Sequence, residues 1–354
     1  MPTFHIDLRS DIRTVPTPAM RRAMAEAKVC GDVVATEDFA TTELEETCAG
    51  MFGREAGLFV CSGTMGNLVS LLTLTRPGFT LIADPYTHII SSELKGFERL
   101  AGCTAALVET DGVLTADMVR RCLAQHAIAD GSAVICAENT HALRNGKAWG
   151  SEITAGLVDV AREHKLKLHI DGARVFNAAV ATGESVASLT QGADTVQLCM
   201  SKGLGAPMGS VIVGTKETIA QARQLRQMLG GCVHKSGIMA AAALVGLRET
   251  PARMPEDHRR AKRLGDLLAQ QKPLRLDYPV YTNTVHLFFD KQEMDGEKFV
   301  ALLAQRGIGI TGPWNSPNGQ WLRLVTHYGI TDEDIDNVAR AFADAVKESM
   351  PARQ

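Results

Sequence analysis

The sequence contains no run of lysines and arginines, no C-x-x-C pair, no internal repeat and no low-complexity tract. The first absence, with a net charge of -3 and a pI near 6.4, removes the basic field that nucleic acid requires as a partner. The second speaks against a zinc site or a redox motif, and no other ligand cluster calls for a metal. Eight cysteines (Cys30, Cys48, Cys61, Cys103, Cys122, Cys136, Cys199 and Cys232) stand singly and read as small core residues in a reducing compartment. The opening stretch MPTFHIDLRSDIRTVPTPAM mixes charges and prolines with short apolar pieces, leaving neither a signal-peptide core nor a membrane span there. A cytoplasmic protein acting on small molecules is expected.

What is present is apolar and patterned. Of 354 residues, 45% are hydrophobic, enough for one large domain with a smaller companion. Between about Gly57 and Gly214, the runs GLFV, TLIAD, TAALVE, AVICAEN, LKLHID, DTVQLC and GSVIVG alternate with segments of helical period. That alternation predicts an α/β fold with helices on both faces of a mostly parallel sheet. Thr115 reads as the cap of a crossover helix with Met118, Val119, Cys122 and Leu123 along one face. RETPARMPEDHRR, polar and broken by Pro251 and Pro255, is the best junction, giving a large domain over 1–250 and a small α+β domain over 251–354. Strand, helix, strand and helix are expected in the latter, the last helix opened by a Thr331/Asp334 capping pair and an Ile330/Ile335 staple.

The chemistry concentrates where apolar runs end. Asp171 follows a strand directly, at the carboxyl edge where open α/β sheets place ligands. It either caps the next helix or pairs with Arg174, or it faces a cation, because a buried carboxylate needs one. Lys202 follows the next strand of the series and projects from the same edge. A lysine able to lose its proton and an aspartate held opposite it are the two groups a pyridoxal phosphate enzyme needs, one for the aldehyde and one for the ring nitrogen. Ser62, Gly63 and Thr64 lie between a strand and a helix, where backbone N–H groups favour a phosphate and Gly63 permits close approach. Small-residue turns also open many helices that bind nothing.

In order and spacing, DLRSD with PTPAM, then SGTMGN, AENTH, HIDGARVFNA, SKGLGAPMGSVIVG and RLVTH resemble the low-specificity L-threonine aldolases of the pyridoxal phosphate-dependent β-eliminating lyases. The resemblance spans nearly the whole chain. It implies an aspartate-aminotransferase-like fold of type I, a homotetramer with sites at a dimer interface, and cleavage of L-threonine or L-allo-threonine to glycine and acetaldehyde. Lys202 then corresponds to the Schiff-base lysine and Asp171 to the partner of the pyridine nitrogen. Arg174 and Arg323, with Ser10 assisting, correspond to the groups that bind the substrate carboxylate, a task suited to a guanidinium's paired hydrogen bonds. His88 corresponds to the histidine that stacks on the ring and moves protons. Glu138, Asn139, Thr140 and His141 are expected near the ring's edge or as the closure of a turn.

Three positions depart from the family's pattern. Val34 stands where a tyrosine is expected near the substrate, and Gln227 and His234 replace cations that would help hold the phosphate. Two other readings follow from the same residues: a β-eliminating lyase acting on another β-substituted amino acid, and a scaffold that has lost catalysis.

Overall fold

The computed structural model describes residues 4–29, 37–316 and 319–351; Val34 lies outside the described residues. The chain divides into two compact units, Val15–Pro251 and Met1–Thr14 with Ala252–Gln354.

The larger unit is built on a seven-stranded sheet in the spatial order Ala56–Val60, Ser210–Gly214, Thr195–Cys199, Lys167–Asp171, Ala133–Glu138, Thr80–Ala83 and Thr104–Leu107. Only Ser210–Gly214 runs against the others, pairing antiparallel with both of its neighbours. The central strands are buried along almost their whole length, which is why they read as unbroken apolar runs. All seven strands expected from the sequence form. Helices start where capping residues permit: Thr115 Oγ1 accepts from the Met118 N–H and Ser62 Oγ from the Met65 N–H at 3.1 Å. Val119, Cys122 and Leu123 are the buried face of the Ala116–Gln125 helix, as their spacing requires.

This topology leaves Val60, Ala83, Glu138, Asp171 and Cys199 as strand ends on one edge of the sheet. Helix Gly63–Leu74 packs across the strands beneath that edge. Its close seat depends on Gly66, where a Cβ would lie 2.6 Å from Gln197 Cγ.

The smaller unit has a three-stranded antiparallel sheet, Thr311–Ser316, Gly319–Val325 and Thr284–Phe289, with helices Met254–Ala269, Gly296–Gln305 and Asp332–Ser349. The N-terminal residues belong here because Ile6–Asp7 pairs parallel with Ile308–Gly309 and the Val325 N–H donates to Leu8 O at 2.8 Å. The Thr331/Asp334 capping box forms, and Ile335, Val338 and Phe342 are fully buried. The junction peptide is helical, and Pro255 is tolerated because it sits in the first turn of Met254–Ala269, where its missing N–H costs nothing. Thr311–Ser316 is a strand that the sequence pattern does not predict. Gly312 and Pro313 interrupt it, and it is tolerated as an edge strand.

Candidate active site

Asp171 ends its strand with 3% of its surface exposed. Its Oδ2 accepts from Asn67 Nδ2 at 2.8 Å and its Oδ1 from the Ala173 N–H at 3.0 Å. Burial pushes the carboxyl pKa up, but the charges of Lys202 and His88 and these two hydrogen bonds outweigh it, so the group is held below the usual carboxylate range. Asp171 is thus a buried carboxylate whose ionised form is favoured by Lys202, His88 and its two donors.

Lys202 lies in the loop that joins the antiparallel strands Thr195–Cys199 and Ser210–Gly214. The loop is closed at its base by the Met200 N–H donating to Gly209 O, and braced within by the Gly205 N–H donating to Lys202 O. Gly209 takes a φ of +104°, and a Cβ there would meet the Phe59 ring at 2.4 Å, so no other residue fits.

His88 opens the short helix His88–Ser91 after strand Thr80–Ala83. Its backbone N–H donates to Glu138 Oε2 at 2.6 Å, while Glu138 Oε1 accepts from the Ala142 N–H. Its Nδ1 lies 2.7 Å from Glu93 Oε1, and that hydrogen bond raises the imidazole pKa against a smaller lowering by burial; Asp171 raises it further and Lys202 lowers it. The acceptor atoms of His88, Glu93 and Asp171 all lie within 4.8 Å of one another. Asn67 Nδ2 stands between the two carboxylates and donates to both, where a cation would otherwise have to sit.

Ser62 caps helix Gly63–Leu74, and the Gly66 N–H donates to Ser62 O, so the remaining first-turn amides, those of Gly63 and Thr64, have no carbonyl within the helix. They face the same strand edge, with the helix dipole behind them. Arg174 precedes helix Val175–Thr182, three residues beyond Asp171. Asn139 and His141 close a turn: Asn139 Nδ2 donates to Trp149 O and the His141 N–H to Lys147 O. Thr140 is buried between them. Gln227, His234 and Lys235 are exposed on this chain.

Ser10 and Arg323 belong to the smaller unit. Ser10 Oγ caps the turn Asp11–Arg13. Arg323 lies opposite His286 on the neighbouring strand, its guanidinium 5.6 Å from the Trp314 ring centre. Burial and the Arg323 charge depress the His286 pKa to about 3, so that ring is neutral.

The sequence pattern does not single out three participants: Asn67, Glu93 and His169. His169 was readable, since it lies two residues before Asp171 and so shares its face of the strand. Asn67 carries a weaker signal, a polar residue on the buried stripe of an apolar helix. Glu93 carries none, because an irregular turn through Leu94 and Lys95, both at positive φ, follows it.

A strand-end carboxylate kept ionised, an amine from the next loop, an imidazole beside both and a helix N-terminus on the same edge suit an anionic, nitrogen-bearing aldehyde cofactor. Residues 7–292 match the family described as beta-eliminating lyase, and the chain belongs to that family. More particularly, it is 38% identical over 349 residues to low-specificity L-threonine aldolase 1 of Arabidopsis thaliana, covering 96% of each chain. A solved threonine aldolase from Leishmania major matches with a TM-score of 0.81 at 16% identity, over 96% of this chain and 99% of that one. A structure of SPT with PLP matches with a TM-score of 0.76 at 18% identity, over 96% and 87%. These likenesses establish the fold as type I. Among the described residues, no helix is long and apolar enough to cross a membrane.

Proposed function

We propose that this chain is a pyridoxal phosphate-dependent aldolase that cleaves a β-hydroxy-α-amino acid of the threonine type to glycine and an aldehyde. The observation that carries it is the buried Asp171 carboxylate, held ionised by Lys202 and His88 at the carboxyl edge of the sheet. Bound pyridoxal phosphate supplies an electron-poor ring that accepts the electron pair of the breaking Cα–Cβ bond. Lys202 would hold its aldehyde carbon, Asp171 its ring nitrogen, and the first turn of Gly63–Leu74, with Ser62 and Thr64, its phosphate.

The remaining steps fall to the chain's own side chains. With Nδ1 engaged by Glu93, His88 presents Nε2, the nitrogen suited to take the β-hydroxyl proton. Glu93 compensates the imidazolium that results. Arg174 and Arg323, assisted by Ser10, would bind the substrate carboxylate, Arg323 steadied by the face of Trp314. The proposal extends to a cytoplasmic homotetramer. The described cysteines are all free, which suits a reducing compartment, and exposed His234 and Lys235 suit a contribution to a neighbouring subunit's site.

Purified protein incubated with pyridoxal phosphate and reduced with borohydride is expected to carry the cofactor mass on the Lys202 peptide. Threonine, allo-threonine and phenylserine are expected to give glycine plus aldehyde. Keto acid and ammonia in their place would establish an eliminase, and a protein that takes up no cofactor would overturn the proposal.

A further inference from the structure

Behind Asp171 lies a chain of hydrogen bonds whose proton positions follow from the geometry. Asn67, 1% exposed, places Nδ2 2.8 Å from both Asp171 Oδ2 and Glu93 Oε1. Both of its N–H bonds are thereby committed, because a carboxylate oxygen only accepts. Its Oδ1 lies 3.1 Å from Nε2 of His169, a fully buried ring, so that nitrogen must carry a proton. Burial depresses the His169 pKa to about 4, leaving a neutral ring with a single N–H. Its Nδ1 is therefore the acceptor, and Thr195 Oγ1, 2.8 Å away, is the donor. The reverse orientation of the Asn67 amide would press its oxygen between two carboxylates.

We propose that Asn67, locked by His169 and Thr195, is a positioning residue that lets Asp171 and Glu93 stay ionised side by side and thereby couples the cofactor's partner to the partner of His88. The idea rests on the functional reading above for its purpose, but not for its geometry. Glu93 is the weak member of the pair. Its burial raises its pKa, the neighbouring Asp171 raises it further, and only the hydrogen bonds from His88 and Asn67 and the His88 charge act against this. Without the shared amide, two buried carboxylates whose oxygens come within 4.8 Å of each other would compete for one negative charge. Glu93 would protonate first, and His88 would lose the charged acceptor that fixes its Nδ1 proton and leaves Nε2 outward.

Two measurements on the full chain test this. With 15N-labelled histidine, and His169→Gln to assign the signal, the His169 ring should show protonated Nε2 and bare Nδ1, unchanged from pH 6 to 9. Protonated Nδ1, or titration in that range, overturns the proposal. The second measurement is the dissociation constant for pyridoxal phosphate. Asn67→Leu should raise it about 10- to 100-fold, the range for losing hydrogen bonds to charged groups. His169→Leu should raise it about tenfold and His169→Gln, which can still donate to Asn67, by less than about threefold. A folded Asn67→Leu protein with wild-type affinity overturns the proposal; if that variant does not fold, the His169 pair and the nitrogen shifts decide it. A wild-type chain that binds no pyridoxal phosphate overturns the functional reading instead, and the nitrogen shifts still decide the relay.

Discussion

Asp171→Asn removes one charge and almost no volume, which makes it the sharpest single perturbation of this site. In the native protein both carboxylate oxygens accept, from Asn67 Nδ2 at 2.8 Å and from the Ala173 N–H at 3.0 Å. An asparagine has one acceptor, so one of these donors must face an NH2 group. The local loss is about 1–3 kcal/mol, the penalty for a buried donor left unmade. At about 2–4 °C per kcal/mol for a domain of roughly 150–250 residues, the melting temperature should fall by several degrees. The functional loss is larger, because Lys202 and His88 lose the anion that faces them. Removing one partner of a buried charge pair costs about 3–5 kcal/mol, which is roughly 150- to 5,000-fold in affinity or rate. His88 should also titrate at lower pH, since Asp171 is one of the groups that raise its pKa. The assays are equilibrium dialysis of pyridoxal phosphate and coupled detection of acetaldehyde released from threonine. An Asp171→Asn protein that binds cofactor and cleaves threonine within threefold of wild type would refute the reasoning, since the buried charge would then have no function.

Gly66→Ala adds a methyl 2.6 Å from Gln197 Cγ and 3.5 Å from Val60 Cγ2. The gain in helix propensity, about 1 kcal/mol, is outweighed by overpacking of about 1–3 kcal/mol, because Gln197 is fully buried and cannot swing away. Urea denaturation should show a net loss of up to about 2 kcal/mol and a weaker hold on cofactor as the helix carrying Asn67 lifts; a stabilised variant would contradict this. Burial pushes the Asp84 carboxyl up, yet His141, Thr110 and the Tyr86 N–H bring it down to about 2. A depressed carboxyl stabilises above its unfolded pKa and loses that contribution as pH falls from about 4 to about 2. Asp84→Asn should therefore cost at most about 2 kcal/mol at pH 7, with the difference from wild type vanishing near pH 2; a gap independent of pH would count against it.

The large sheet was legible because its central strands are buried on both faces, so composition alone marks them without any need for alternation. Lys202, Asp171 and His88 were legible for a related reason: each follows an apolar run, and a parallel sheet gathers such ends on one edge. The strand Thr311–Ser316 was not, because an edge position tolerates Gly312 and Pro313, which argue against a strand anywhere else. The grouping of Ile6–Asp7 with Ile308–Gly309 depends on a pairing across almost the full length of the chain, and no local pattern carries that. Asn67 and Glu93 matter through hydrogen bonds to each other and to Asp171 and His88. That relation exists only once helix Gly63–Leu74 has docked on the sheet.

The single reversed strand, Ser210–Gly214, has a consequence for anyone reshaping this protein. Most connections at that edge pass into helices and back, so added residues there have slack to take up. The segment bearing Lys202 is instead the tip of a hairpin, tied at its base by Met200 and Gly209. Residues 203–206, just after the lysine, are buried, so an insertion there is expected to displace the amine. Grafts that aim to widen substrate scope should leave Met200–Gly209 untouched and vary the other loops of the rim.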